Sequence, residues 1–159
     1  MSHLSSNKSA RVVSSVPRRR IVRFRAYGAS LGLNTTRTDA LIRQVEQGLS
    51  FRALVVFESQ TGIPAPMIAE VMGIPERTLA RRKAAGKLAP YESERLLRIS
   101  VVFEKAAELF EGDVAATVKW LTASKRELGD HSPLTYSRTE LGAREVEKLI
   151  GRLEHGVFS

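Results

Sequence analysis

The stretch APMIAEVMGIPERTLARRKAAG, residues 65–86, restricts the fold more than any other part of the chain. A helix-turn-helix packs two helices steeply across a short turn. It needs a small residue where the helices touch, and Ala69 supplies one. It needs a residue tolerant of positive φ in the turn, and Gly73 stands four positions later. Apolar side chains must face inward before, in and after the turn, as Ile68, Met72, Ile74 and Leu79 can. Pro75 suits the first turn of the second helix, where its missing N–H is harmless. Arg82 departs from the pattern, standing where many such units carry an aliphatic residue.

On a wheel of 100° per residue, Leu79 and Ala80 of the second helix turn inward. Arg77, Thr78, Arg81, Arg82 and Ala85 spread over the opposite face. That is the surface a recognition helix presents to the major groove. Arg can bond guanine bidentately and Thr can meet a base or a phosphate. Lys83 and Lys87 lie off this face and suit phosphate contacts. The plain alternative is a helix hairpin with a solvated basic face.

The charge distribution favours the DNA reading. Residues 1–30 carry +7, residues 31–89 carry +3 and residues 90–159 carry −2, within a net +8. A basic front half suits a polyanion. Residues 1–20 are rich in Ser, Lys and Arg and read as a flexible arm. Its Arg18, Arg19 and Arg20, with Arg23 and Arg25, are candidates for phosphate or minor-groove contact.

From residue 38 the pattern is helical to the end, which predicts an all-α protein of seven or eight helices. Residues 21–33 read only as a short element. Thr38 can cap a first helix carrying Leu41, Ile42 and Val45, ended by Gly48. Ser50 can cap a second, ended by Gly62. Two short helices over 65–72 and 75–85 form the helix-turn-helix. Residues 91–111 form the longest helix, with Leu96, Ser100, Phe103, Ala107 and Phe110 as its buried seam. Trp120 is expected to pack against it. Asp113 and Thr139 cap the last two helices, and the final one carries Val146, Leu149, Ile150 and Leu153 at i, i+3, i+4 and i+7.

Several chemistries find no footing. With no cysteine, disulfide scaffolds and thiol chemistry are excluded. His3, His131 and His155 lack ligand spacing, so neither a metal nor another cofactor is expected. There is no Gly-rich phosphate loop and no nucleophile elbow, so no catalytic residues are assigned. No run approaches the roughly 20 apolar residues of a membrane span. With no apolar leader either, a cytoplasmic protein is expected.

The second half carries a resemblance. RTLARRKAAGKLAPYESERLLRIS (77–100) is followed by Trp120-Leu121, Leu128-Gly129, Ser132-Pro133-Leu134, Thr139, Gly142-Ala143, Val146 and Leu149. Arg152 then leads into a C-terminus ending His-Gly-Val-Phe-Ser. Over about residues 48–159 the chain resembles the Xre/MbcA/ParS family of antitoxins, departing from it at TASKRE (122–127) and LTYS (134–137).

The resemblance implies an all-α chain in which an Xre-like helix-turn-helix domain packs on a C-terminal helical toxin-binding domain. The divisions expected are an arm over 1–20, a DNA-binding domain over 21–89 and a toxin-binding domain over 90–159. It implies a type II antitoxin that neutralises an NAD-consuming RES-domain toxin and represses its own operon. The C-terminus would enter the toxin's active site. On this reading Arg138, Arg144, Arg152, His155, Gly156, Val157, Phe158 and Ser159 are the toxin-binding candidates. Specific DNA binding by a helix-turn-helix usually needs paired half-sites, so a homodimer is expected, with the helices of 38–60 as a candidate interface. A repressor with no toxin partner is the alternative.

Overall fold

A computed structural model describes residues 19–156. Among the described residues there are eight α-helices: α1 (Thr38–Gln47), α2 (Arg52–Thr61), α3 (Ala65–Met72), α4 (Glu76–Ala85), α5 (Pro90–Leu109), α6 (Val114–Thr122), α7 (Pro133–Tyr136) and α8 (Glu140–Glu154). Two 3-10 turns, Ala29–Leu31 and Arg126–Leu128, accompany them. Among the described residues, β-pairing is limited to isolated bridges.

The long helix α5 organises the molecule. Pro90 opens it, and the Glu92 carboxylate accepts the Ala89 amide at 2.8 Å. The expected seam is buried at Leu96, Ser100, Phe103 and Ala107, while Phe110 is half-buried just beyond the helix end. Ile99, Val102 and Ala106 are buried as well, which widens the stripe. A helix apolar on so much of its surface needs partners on more than one side. Here α5 packs on α1, α3, α6 and α8. Phe103 meets Phe57 edge-on at 5.6 Å, in the core that also holds Leu54, Ile68 and Leu121.

Most helix ends fall where their caps stand. Asp113 accepts the Ala116 amide and Thr139 accepts the Gly142 amide. Thr38 is corrected: it is the first helical residue, preceded by Arg37, whose amide bonds the Thr35 hydroxyl. Ser50 stands one residue outside its expected place. Phe51 precedes the helix, and the Ser50 hydroxyl accepts the Arg52 amide. Trp120 is half-buried and tilted against Phe110 at 6.2 Å, at the end of α5.

Residues 21–27 form an extended strap across α5. Val22, Phe24 and Ala26 are half-buried, while Ile21, Arg23, Arg25 and Tyr27 are exposed. The strap is pinned at both ends. The Val22 amide bonds the Gly112 carbonyl, and Arg20 donates to the Ser59 carbonyl and to Gln60. Arg19 faces Asp113 at 3.7 Å. Arg19 and Arg20 are therefore tied to the protein; residues 1–18, the rest of the arm, lie outside the described residues.

At its far end the strap meets a buried carboxylate. Glu104 accepts the amides of Gly28 and Ser30 at 3.2 and 3.0 Å and the Ser30 hydroxyl at 3.1 Å. Burial pushes its carboxyl above the ordinary 4.5, and the strap's donors only partly oppose that. Below pH 4.5 this group is protonated whether the chain is folded or not. As pH rises from there through the raised value, the unfolded chain releases the proton first, so folding stability falls. The expected result is that the stability difference between wild type and Glu104→Gln shifts towards the variant across that window. Thermal melts over a pH series check this, and a difference independent of pH would refute it.

Candidate functional site

The helix-turn-helix forms as its local chemistry demands. Gly73 ends α3 at φ 72°, and its amide bonds the Ala69 and Glu70 carbonyls. Ile68, Ala69, Met72 and Ile74 are buried. Helix α4 differs, because it has no fully buried residue. Leu79 is half-buried against the core. The wheel's placement of Ala80 is corrected: Ala80 is exposed.

Arg82 is corrected too. It is half-buried and leaves the exposed row, and its Nε donates to Glu92 Oε1 at 2.7 Å. The Glu92 side chain is entirely out of solvent. That carboxylate raises the Arg82 guanidinium above its ordinary value by accepting its hydrogen bond. The cause of the correction is register: position 82 lies one turn beyond Leu79 on the same side of α4. The arginine thus takes the place of an aliphatic contact because an acid waits opposite it.

Three residues further along α5, Arg95 Nη1 donates to the Met72 carbonyl at 2.9 Å, at the C-terminal end of α3. Its guanidinium lies 5.4 Å from the Tyr91 ring centroid. The first two turns of α5 therefore hold both helices of the motif. The far end of α4 is closed by the Gly86 carbonyl, which accepts the Phe51 amide, and by the Leu88 amide, which bonds the Leu49 carbonyl. Glu92 and Arg95 escaped the sequence reading. Glu92 had one legible sign, its place three residues after the start of a helix; its pairing with Arg82 needed the tertiary structure.

What remains on the open side of α4 is basic. Arg77, Arg81, Lys83 and Lys87 are exposed, and Thr78 is half-buried beside them. Arg77 and Arg81 share a face at i, i+4, while Lys87 follows the left-handed Gly86 beyond the helix end and bridges to Ser50. None of these four cations has an ion-pair partner among the described residues. Ala80, Ala84 and Ala85 are exposed between them. Small residues between long cations let such a helix approach a groove closely.

The second group of candidates falls at two ends of α8. Arg138 is exposed just before the helix, and its carbonyl accepts from Arg98. Arg144 is exposed and paired with Glu140 at 3.0 Å. Arg152, His155 and Gly156 are exposed at the other end, where Gly156 adopts φ 63°. A helix of 15 residues spans roughly 22 Å, so the two ends cannot contact one small feature together. Val157, Phe158 and Ser159 lie outside the described residues. Among the described residues no cluster of His, Asp and Glu is arranged to hold a metal, and no helix is long and apolar enough to cross a membrane.

Comparison with known proteins places both halves. Residues 40–100 match the antitoxin Xre-like helix-turn-helix domain, and residues 105–156 match the antitoxin Xre/MbcA/ParS C-terminal toxin-binding domain. The chain is 39% identical to an antitoxin Xre of Yersinia enterocolitica over 136 residues, covering 85% of this chain and 92% of that protein. The chain belongs to the Xre/MbcA/ParS antitoxin family. An antitoxin Xre of Photorhabdus laumondii is also 39% identical, over 93 residues, which are 58% of this chain and 63% of that one. This antitoxin thus joins a helix-turn-helix domain to a toxin-binding domain in one all-helical chain. Helix α5 begins in the first match, ends in the second and contributes core to both.

Proposed function

We propose that this chain is the antitoxin of a type II pair. It neutralises an NAD-consuming RES-domain toxin by covering the active site with its C-terminal segment, and it binds its own operator as an autorepressor. The observation that carries this reading is the combination, in one chain, of an unpaired basic face on α4 and a toxin-binding domain whose last helix ends exposed. On this reading Arg77, Thr78 and Arg81 face bases, and Lys83 and Lys87 face phosphates. Arg82 acts through Glu92, as a positioning residue. Residues 152–159 enter the toxin cleft, where Val157 and Phe158 supply apolar contact.

The working divisions are the arm at 1–20, the DNA-binding part at 21–89 and the toxin-binding part at 90–159. Two copies bind two half-sites about 34–36 Å apart. The half-exposed Ile42 and Val55, on α1 and α2, support an interface on those helices. The chain works in the cytoplasm, without a cofactor and without catalysis of its own.

The test is co-expression with the protein of the adjacent reading frame, followed by pull-down, growth and cellular NAD⁺. The expected result is a stable complex, with NAD⁺ falling and growth stopping only when this chain is withheld. A harmless neighbour that forms no complex would leave the repressor alone.

A further inference from the structure

Nine of the eleven glycines sit at positive φ, where side-chain-bearing residues are strained. Gly142 has another internal reason, since a Cβ there would stand 1.8 Å from the Tyr136 carbonyl oxygen. Gly151 has neither reason. It lies inside α8, its φ is not positive, and apart from its chain neighbours and the backbone of its own helix turn no described atom lies within 4 Å of where its Cβ would be. Glycine within a helix destabilises it relative to alanine, because the unfolded chain loses more freedom. The chain therefore carries an unfavourable residue that nothing among the described residues demands.

The surroundings supply a reason from outside. Lys148, Gly151, Arg152 and His155 line a shallow, open and largely apolar depression of about 370 Å³. Arg152 and His155 are exposed, and Lys148 reaches Glu145 at 3.0 Å across the helix surface. The depression lies within the matched toxin-binding domain and directly precedes the chain's last residues.

We propose that Gly151 is the point at which the toxin's main chain passes closest to α8. The missing side chain lets that segment settle onto the helix backbone, while Lys148, Arg152 and His155 donate to its carbonyl or carboxylate oxygens. This inference rests on the antitoxin reading above and extends it, from the tail onto a defined patch of helix. A methyl group at 151 separates the two backbones and stretches those bonds beyond hydrogen-bonding range.

The test uses Gly151→Ala and Gly151→Leu in the full chain, with the purified protein of the adjacent reading frame as probe. Gly151→Ala raises the Tm by about 1–4 °C, as a helix-interior glycine replaced by alanine should. It also weakens capture of the probe by about tenfold or more, because an overpacked contact gives way, and Gly151→Leu weakens it further. Operator binding is unchanged in both. A higher Tm with wild-type capture by both variants overturns the proposal. A lower Tm for Gly151→Ala overturns its premise, since the fold would then need the glycine. Failure of the wild-type chain to capture the probe is a failure of the antitoxin reading itself, and the inference falls with it.

Discussion

A chain ending at Leu153 should fold and bind its operator but no longer neutralise the toxin. The fold tolerates the cut because α8 is anchored earlier. Its buried residues are Gly142, Ala143, Val146, Leu149 and Ile150, and Leu153 packs half-buried against them. Glu154, His155 and Gly156 are exposed, so removing residues 154–159 takes no described core atom away. The last turn of α8 loses its cap, where the His155 amide bonds the Gly151 carbonyl, and frays locally. The Tm should therefore change by no more than a few degrees.

Function should change far more. Interface affinity concentrates in a few apolar anchors placed in desolvated pockets. Val157 and Phe158 are the apolar residues of the segment removed. Toxin affinity should fall at least about a hundredfold, the loss expected when a central anchor goes. Alanine at Arg144 should do little by comparison, because Arg144 is exposed and already paired with Glu140. The readouts are growth and NAD⁺ in cells carrying both genes, with a gel shift on operator DNA as control. Full neutralisation by the shortened chain would remove the plug from the mechanism.

How much of this was legible in the sequence follows from how local each signal is. The helix-turn-helix was readable because Ala69, Gly73 and Pro75 act within a few residues of themselves. The same holds for α8, where Thr139 caps and Val146, Leu149 and Ile150 repeat with the helical period. Helix α7 has four residues, too few for any period to show. The strap was not readable, because its anchor, Glu104, is 74 residues away from Ser30. Nor was the inward turn of Arg82, whose cause is a carboxylate on another helix. For the strap and for Arg82 the deciding partner stands on another element.

That last point sets the strongest expectation for DNA. Arg77→Ala with Arg81→Ala should all but abolish specific operator binding, while Arg82→Met should weaken it by a different route. Arg77 and Arg81 are exposed on one face and have no ion-pair partner among the described residues. Each base-reading arginine lost should weaken binding by about tenfold or more and relax sequence preference at one position. If either arginine also neutralises a phosphate, the slope of log K against log salt becomes shallower by about 0.9 for that residue. Arg82 gives a different signature. Its charge is spent on Glu92, so its loss releases no counterion from DNA and the salt slope should stay at the wild-type value. Its substitution leaves the buried Glu92 carboxylate without its cation, which costs folding stability and frees the end of α4. Arg82→Met should therefore lower both Tm and operator affinity without changing which bases are preferred, whereas the Arg77 and Arg81 changes should leave Tm near wild type. A salt slope for Arg82→Met that falls as a phosphate contact's would, with Tm unchanged, would place Arg82 on the DNA and return the ion pair to a minor role.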